Sequence, residues 1–274
     1  MIRFERPPCP PGFDAVVGGA RTAVRAAVLA GASPVFDPVW GRREHEFKRR
    51  LAEAQRGKCG FCECKVLPTG RGDVEHFRPK AEVRELPSLT ARGAQSRYES
   101  TPSGRERGAV VPGGGYWWLA YAWTNWLFAC TSCNQDWKRN FFPIASAAPP
   151  ITEGCEKGES ALRLDPFGDD DPVGHLHFEA DGQVSARDGS PKGDATIDVC
   201  GLALRPELIQ ARSRVARAAH KHLDAIFAAP TELAREPHFA ALEAMGGDDE
   251  PHAGVVRSIA EERLGGTWAE LFGG

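Results

Sequence analysis

Two pairs of cysteines, each with the spacing Cys-x-x-Cys, are the residues of this chain whose types and positions most strongly indicate chemistry. They are Cys59 with Cys62, and Cys130 with Cys133. Four thiolates arranged in two such pairs match the ligands of a closed, tetrahedral zinc site. The sequence therefore predicts a structural zinc ion held by all four, with Cys64, two residues after Cys62, as an alternative ligand.

A second set of metal ligands lies between and just after these pairs. Residues 73–80 read Asp-Val-Glu-His-Phe-Arg-Pro-Lys, and Asn134 directly follows the last cysteine. The carboxylate of Glu75 and the amide oxygen of Asn134 are hard ligands of the kind that Mg²⁺ or Mn²⁺ prefers. The imidazole of His76, with an ordinary pKa near ~6.5, is a general base that is available at neutral pH. These residues predict a hydrolytic metal site.

This pattern resembles the HNH endonuclease family, in the form that is stapled by a four-cysteine zinc site. The resemblance covers roughly residues 45–144. It rests on the following residues: Cys59, Cys62, Glu75, His76, Asn125, Cys130, Cys133, Asn134 and Lys138. What it implies is an endonuclease that hydrolyses DNA phosphodiester bonds, with structural zinc and a catalytic divalent cation.

The resemblance also implies a role for each motif residue. Glu75 and Asn134 would bind the catalytic cation, and His76 would activate the attacking water. Asn125 corresponds to the middle Asn of the family name and would brace the loop that carries the general base.

Basic residues around the motif are implied to contact the phosphates of the substrate. They are Lys138, Arg78 and Lys80. The chain departs from the common pattern at Glu75, where many relatives have Asp, and Asp73 is therefore an alternative ligand. Lys138 lies four residues after Asn134, where a spacing of three is commoner.

Further short segments resemble one HNH subfamily, the nuclease subunit of Septu-type and retron-associated bacterial anti-phage defence systems. The segments are Val74–Lys80, Cys133-Asn134 with Lys138, Phe142-Pro143, Leu164-Asp165-Pro166 and Gly201-Leu202. This resemblance implies that an ABC-type ATPase binds the chain and controls cutting.

Composition limits the possible partners and locations. The formal net charge of −3 gives no overall basic character, so DNA contacts would have to come from a local patch or from a partner. No run of 18 apolar residues exists and the first residues lack the pattern of a signal peptide, which predicts a cytoplasmic protein without a membrane span.

Hydrophobic periodicity predicts that the chain is α+β and mostly helical. The predicted helices cover 15–32, 43–56, 206–228, 231–245 and 254–264. They would enclose a small ββα-metal core.

That core is predicted from residues on both sides of the second cysteine pair. Residues 58–77 should form a two-stranded ribbon that turns near residues 70–72, and Asn134–Asn140 should open the helix. The Trp-rich segment 116–128 predicts core packing, with base stacking as the alternative.

The predicted organisation has four parts. They are an N-terminal helical segment (1–42), the HNH core (43–144) with a mobile insertion (85–115), a connector (145–158), and a helical C-terminal region (159–274) that docks a partner. The alternative to an enzyme is a non-catalytic, zinc-stapled subunit that binds nucleic acid or serves as a scaffold.

Overall fold

The structure is a computed structural model that describes residues 1–67, 72–85, 110–145 and 151–273. The chain is a mixed α/β protein with small antiparallel sheets. It divides into two compact units. The motif unit comprises residues 5–59 and 66–163, and the C-terminal unit comprises residues 1–4, 60–65 and 164–274.

The motif unit begins with two helices, α1 (Phe13–Leu29) and α2 (Phe47–Ala54). Helix α1 confirms the first predicted helix, and the chain leaves it through Gly31, whose φ of 69° suits glycine. Helix α2 begins four residues later than predicted. Glu46, directly before it, has a left-handed conformation with φ 54°, so the preceding residues cannot continue the helix.

Two antiparallel strands carry the motif. Strand β1 (Gly72–His76) pairs with strand β2 (Trp126–Cys130), so that Gly72 lies opposite Cys130 and His76 opposite Trp126. The predicted local ribbon over 58–77 was therefore wrong in its pairing. The apolar run of β2 is almost entirely buried. Pairing it with β1 satisfies its backbone N–H and C=O groups inside the protein.

Gln55 extends this small sheet by one side chain. Its Nε2 donates to the carbonyl of Phe128 at 2.7 Å, and its Oε1 accepts from the Phe128 amide at 2.7 Å. Gln55 is fully buried, and its amide satisfies two backbone groups of β2 as a neighbouring strand would.

A short helical segment, α3 (Ser132–Lys138), follows β2 and has the wide turn of a π-helix. A helix was predicted here directly after the second cysteine pair; the segment begins and ends two residues earlier and includes Cys133. π-helical turns are rare and are often found at functional sites.

Aromatic rings form the core of the motif unit. Phe13, Phe47, Trp123 and Trp126 pack against one another with ring centroids 5.2 to 6.1 Å apart. Trp126 is completely buried, and Trp123 and Trp137 are nearly so. Core packing is thus confirmed for these tryptophans.

The C-terminal unit contains one hairpin and most of the helices. The hairpin joins β3 (Leu176–Phe178) to β4 (Val184–Ala186). The helices are α4 (Pro191–Val199), α5 (Pro206–Ala228), α6 (Glu232–Met245), α7 (Ala253–Leu264) and α8 (Trp268–Phe272). The three predicted helices of this region are confirmed to within one residue, whereas α4 and α8 were not predicted.

The other predictions of organisation concern segments that the structure covers in part. Residues 86–109 of the predicted insertion, and 68–71 and 146–150, lie outside the described residues. Within the described ranges, no helix combines the length and the apolar character needed to cross a lipid bilayer.

Candidate functional site

The two cysteine pairs converge. The sulfur atoms of Cys59, Cys62, Cys130 and Cys133 all lie within 4.8 Å of one another, and three of the four residues are buried. The backbone N–H of Cys133 points to the sulfur of Cys130 at 3.4 Å, a contact that stabilises a thiolate. This donor set can hold a metal ion such as zinc, whose bonds to sulfur are about 2.3 Å long. Cys64 is not part of the cluster.

His76, the last residue of β1, lies on the side of the strand that faces the aromatic core. Its ring contacts Trp40 edge-on at a centroid distance of 4.6 Å, and the Trp126 ring lies 6.1 Å away. Its Nε2 lies 2.9 Å from the carbonyl oxygen of Ala120. A carbonyl can only accept, so Nε2 carries the hydrogen and Nδ1 keeps the basic lone pair.

The surroundings of His76 favour its neutral form. Burial is the main cause that lowers the pKa of His76 well below 6.5, and the charges of Lys80 and Lys138 lower it further. The hydrogen bond to Ala120 opposes this shift. The imidazole is therefore neutral at neutral pH, with Nδ1 unprotonated.

Glu75 points the other way, because neighbouring residues of a strand project to opposite faces. Its Oε1 lies 2.5 Å from the ammonium of Lys138 and 3.3 Å from the guanidinium of Arg163. All three side chains are buried, so the carboxylate is held by two cations inside the protein.

Lys138 contacts both the carboxylate of Glu75 and the backbone of the next residue, His76. Its ammonium also donates to the carbonyl of His76 at 2.8 Å. Burial lowers the pKa of Lys138 to about 8, while the charge of Glu75 opposes that shift. The ammonium thus lies inside the motif, and its predicted contact with substrate phosphate stays a prediction.

Asn134 lies near a different carboxylate. Its Nδ2 is 3.3 Å from Oδ2 of Asp73, which also accepts a hydrogen bond of 2.7 Å from Gln135. Within the described residues no hydrogen bond or ion pair joins Asn134 to Glu75. Asp73 and Glu75 share one face of β1, so the structure brings both carboxylates to the side of the strand that α3 covers.

Asn125 joins two loops by its side chain. Its Oδ1 accepts from the backbone N–H of Arg78 at 2.8 Å, and its Nδ2 donates to the carbonyls of Arg78 and Leu119. The buried amide thereby fixes the chain that leaves β1 directly after His76. This arrangement suits the bracing role implied for the residue.

Arg78 and Lys80 both pack on aromatic rings. The guanidinium of Arg78 lies 5.3 to 5.9 Å from the rings of Phe77, Tyr116 and Phe142. The ammonium of Lys80 lies 4.8 Å from the ring of Trp40, which also contacts His76. Both side chains are partly exposed, and their phosphate contacts stay predictions.

Two residues around the motif were not identified from the sequence. Arg163 ion-pairs with Glu75 and donates to the carbonyl of Phe77, and Trp40 packs on His76. Arg163 directly precedes Leu164-Asp165-Pro166, a segment already recognised as part of the subfamily pattern, so its position was the one available signal. Trp40 lies far from the motif in a segment without any such signal.

Comparison with known proteins adds one relative. No protein-family model matches the sequence. The chain is similar to the Septu protein PtuB of Bacillus mycoides (strain KBAB4), with 35% identity over 181 residues. The alignment covers 66% of this chain and 54% of that protein, so the chain spans about half the length of this relative. The similarity supports a relation to Septu-type proteins.

Proposed function

We propose that this chain is a metal-dependent HNH endonuclease that cuts DNA as the effector of a bacterial anti-phage defence complex of the Septu type. Structural zinc in the four-cysteine cluster folds its core. The proposal combines the motif resemblance, the arrangement of β1, β2 and α3 beside the cysteine cluster, and the similarity to a Septu protein.

The observation that carries the proposal is the state of His76. The imidazole ends β1 with Nε2 bound to the Ala120 carbonyl, which leaves Nδ1 as the proton acceptor. Its lowered pKa keeps it neutral at physiological pH. A neutral, oriented imidazole is what a general base for water activation requires.

In the proposed reaction, Nδ1 of His76 takes a proton from water as the water oxygen attacks phosphorus. Asn125 holds the loop after His76 in place, which keeps the base aligned with the reacting phosphate. The bond from phosphorus to the 3′-oxygen then breaks. The leaving 3′-oxygen takes a proton from solvent water, so one end of the cut strand carries a 3′-hydroxyl and the other a 5′-phosphate.

Glu75 projects from the opposite face of β1, so the base and the cation would act on one phosphate at the end of the strand, where His76 is the last residue. Glu75 and Asn134 would hold Mg²⁺ or Mn²⁺, with Asp73, which accepts a hydrogen bond from Asn134, as the alternative carboxylate. The cation would offset charge on the phosphate and on the leaving oxygen. Arg78 and Lys80, which are partly exposed, would contact neighbouring phosphates, and Lys138 would hold Glu75 in position.

The partner in this proposal is an ABC-type ATPase subunit. The resemblance to the Septu-type subfamily implies it, and the net charge of −3 supports it, because a nuclease that acts alone would be expected to carry a basic surface. The C-terminal unit is large enough to dock such a subunit.

Two observations favour the alternative, a non-catalytic zinc-stapled binding or scaffold subunit. Glu75 is engaged by Lys138 and Arg163, and His76 is only 4% exposed. Buried side chains that form ion pairs and contacts inside the protein suit a structural role.

A plasmid-nicking assay decides between the two. Purified protein with its zinc content measured is incubated with supercoiled DNA, with and without added Mg²⁺ or Mn²⁺, beside His76→Ala. We expect nicking that needs the added cation and is lost in the variant. Wild-type protein that carries zinc, binds its partner and never cuts DNA would establish the scaffold alternative.

A further inference from the structure

The C-terminal unit has an open groove between α6 and α8 that the proposed reaction does not use. It encloses about 820 Å³. Its floor consists of Phe239 and Ala240 of α6 and of Leu271 and Phe272 of α8. The groove is thus an apolar depression on the surface of the unit.

The two sides of the groove contact each other through aromatic rings. The rings of Phe239 and Phe272 have centroids 6.2 Å apart. Leu233, on the same face of α6 one turn before Glu236, is 77% exposed and extends the apolar surface beyond the groove. Covering exposed apolar surface of this kind with a partner is favourable, because it removes the surface from water.

The rim of the groove is acidic. Glu232, Glu236 and Glu243 of α6 line it, and no ion pair neutralises them within the part of the chain that the structure describes. A fourth carboxylate, Glu270, accepts hydrogen bonds from Thr267 and keeps its negative charge. Arg235 is the basic residue among those that line the groove. The negative charge of the rim favours an occupant with positively charged side chains, because opposite charges attract.

We propose that this groove binds a basic amphipathic helix of the partner subunit, an inference that rests on the proposed function for the existence of that partner. The eleven-residue step from Glu232 to Glu243 spans about 16 Å along α6, the length of three helical turns. An amphipathic helix places its apolar side chains in such a groove and its basic side chains against the rim. The combination of apolar floor and acidic rim selects this occupant over a neutral or acidic segment.

The test is binding of the full chain to an ABC-type ATPase subunit of a Septu-type system, the partner proposed above, after co-expression, capture and gel filtration. Ala240→Trp fills the groove from an exposed helix position, and Ala240→Ser is its matched control. Glu236→Lys with Glu243→Lys reverses the rim, and Asp169→Lys with Asp249→Lys reverses two exposed carboxylates outside the groove. Melting temperatures identify any variant that fails to fold.

We expect both groove variants to bind the ATPase subunit at least about tenfold more weakly, while both controls bind like wild type. Groove variants that fold and bind normally would overturn the groove and leave the proposed nuclease untouched. A chain that binds through the groove but does not nick plasmid would overturn the nuclease and keep the groove. If the isolated chain is a dimer that Ala240→Trp converts to monomer, the occupant is a second copy instead, and the proposal is wrong.

Discussion

His76 is the residue on which the proposed chemistry depends, and its environment separates catalysis from folding. Its ring is buried against Trp40, yet the Ala120 carbonyl that it contacts also accepts a hydrogen bond from Trp126. Removing the imidazole therefore leaves that carbonyl satisfied. The fold should therefore tolerate loss of the His76 imidazole, whereas the proposed reaction should not.

The corresponding prediction concerns His76→Ala. We expect cleavage to fall by about 10²–10⁴-fold, because general-base catalysis is lost, while zinc content is unchanged and the melting temperature falls only modestly. Nicking rates, metal analysis and calorimetry measure the three quantities, with His177→Ala as a control in the other unit. Cleavage at a comparable rate in His76→Ala would show that another group is the base.

The pH dependence of cleavage tests the surroundings of His76. Because burial and the charge of Lys80 hold the pKa of His76 well below 6.5, the rate should stay constant as pH falls through 6.5 and decline only at lower pH, where the imidazole becomes protonated. Lys80→Ala removes a positive charge, so the pKa of His76 rises and the acid limb moves to higher pH. If the midpoint of the acid limb does not move in Lys80→Ala, the charge of Lys80 does not lower the pKa of His76. This conclusion does not depend on the maximal rate.

At the scale of elements, the contact of β1 with β2 leaves no room beside Gly72. A Cβ atom at this position would lie 2.2 Å from the ring of Phe128 and 3.0 Å from Val66. Strand pairing at this end of β1 therefore depends on glycine for space.

Gly72→Ala should destabilise the protein by about 1–3 kcal/mol, the usual cost of overpacking a well-filled core. Gly41→Ala is the matched control, since a Cβ there meets nothing within 4 Å. Chemical unfolding of both variants gives the comparison. Equal stabilities would mean that β1 and β2 do not pack as described.

The cysteine cluster links the end of β2 to the turn into α3. We expect Cys133→Ser to lose zinc and to unfold partly, because structural zinc contributes on the order of 10 kcal/mol or more to folding. Cys9→Ser, which changes an exposed cysteine outside the cluster, should keep one zinc per chain. Circular dichroism measures how much of each variant is folded, and metal analysis measures its zinc content. A wild-type chain that is well folded without zinc would refute the role of zinc in folding.

At the scale of the whole molecule, charge favours action in a complex. With a net charge of −3, the isolated chain should bind DNA weakly and cut slowly. We predict that a complex with the proposed ABC-type ATPase partner survives gel filtration and cuts faster, with the rate depending on ATP. Efficient cutting by a monomeric chain that captures no ATPase would contradict the partner and leave the nuclease proposal standing.

Chemistry could be read from the sequence where it depends on residue type and short spacing. The cysteine pairs were recognisable because ligands for zinc are few and their spacing is local. The cation site at Glu75 and Asn134 stays a prediction. Helices α5 to α7 were predicted closely, because apolar periodicity is itself a property of the sequence. Helix α8 was missed because it has only five residues, and α4 because its buried residues run consecutively from Ala195 to Val199 and show no helical period.

The tertiary structure decided what depends on residues far apart in the chain. The pairing of β1 with β2 follows from burial of an apolar run, which local turn signals before β1 could not reveal. The pleat sends Glu75 and His76 to opposite faces, and there Arg163 and Lys138 meet the carboxylate while Trp40 and Ala120 meet the imidazole. Such contacts set charge state and orientation, and they exist only once the folded backbone brings these side chains together.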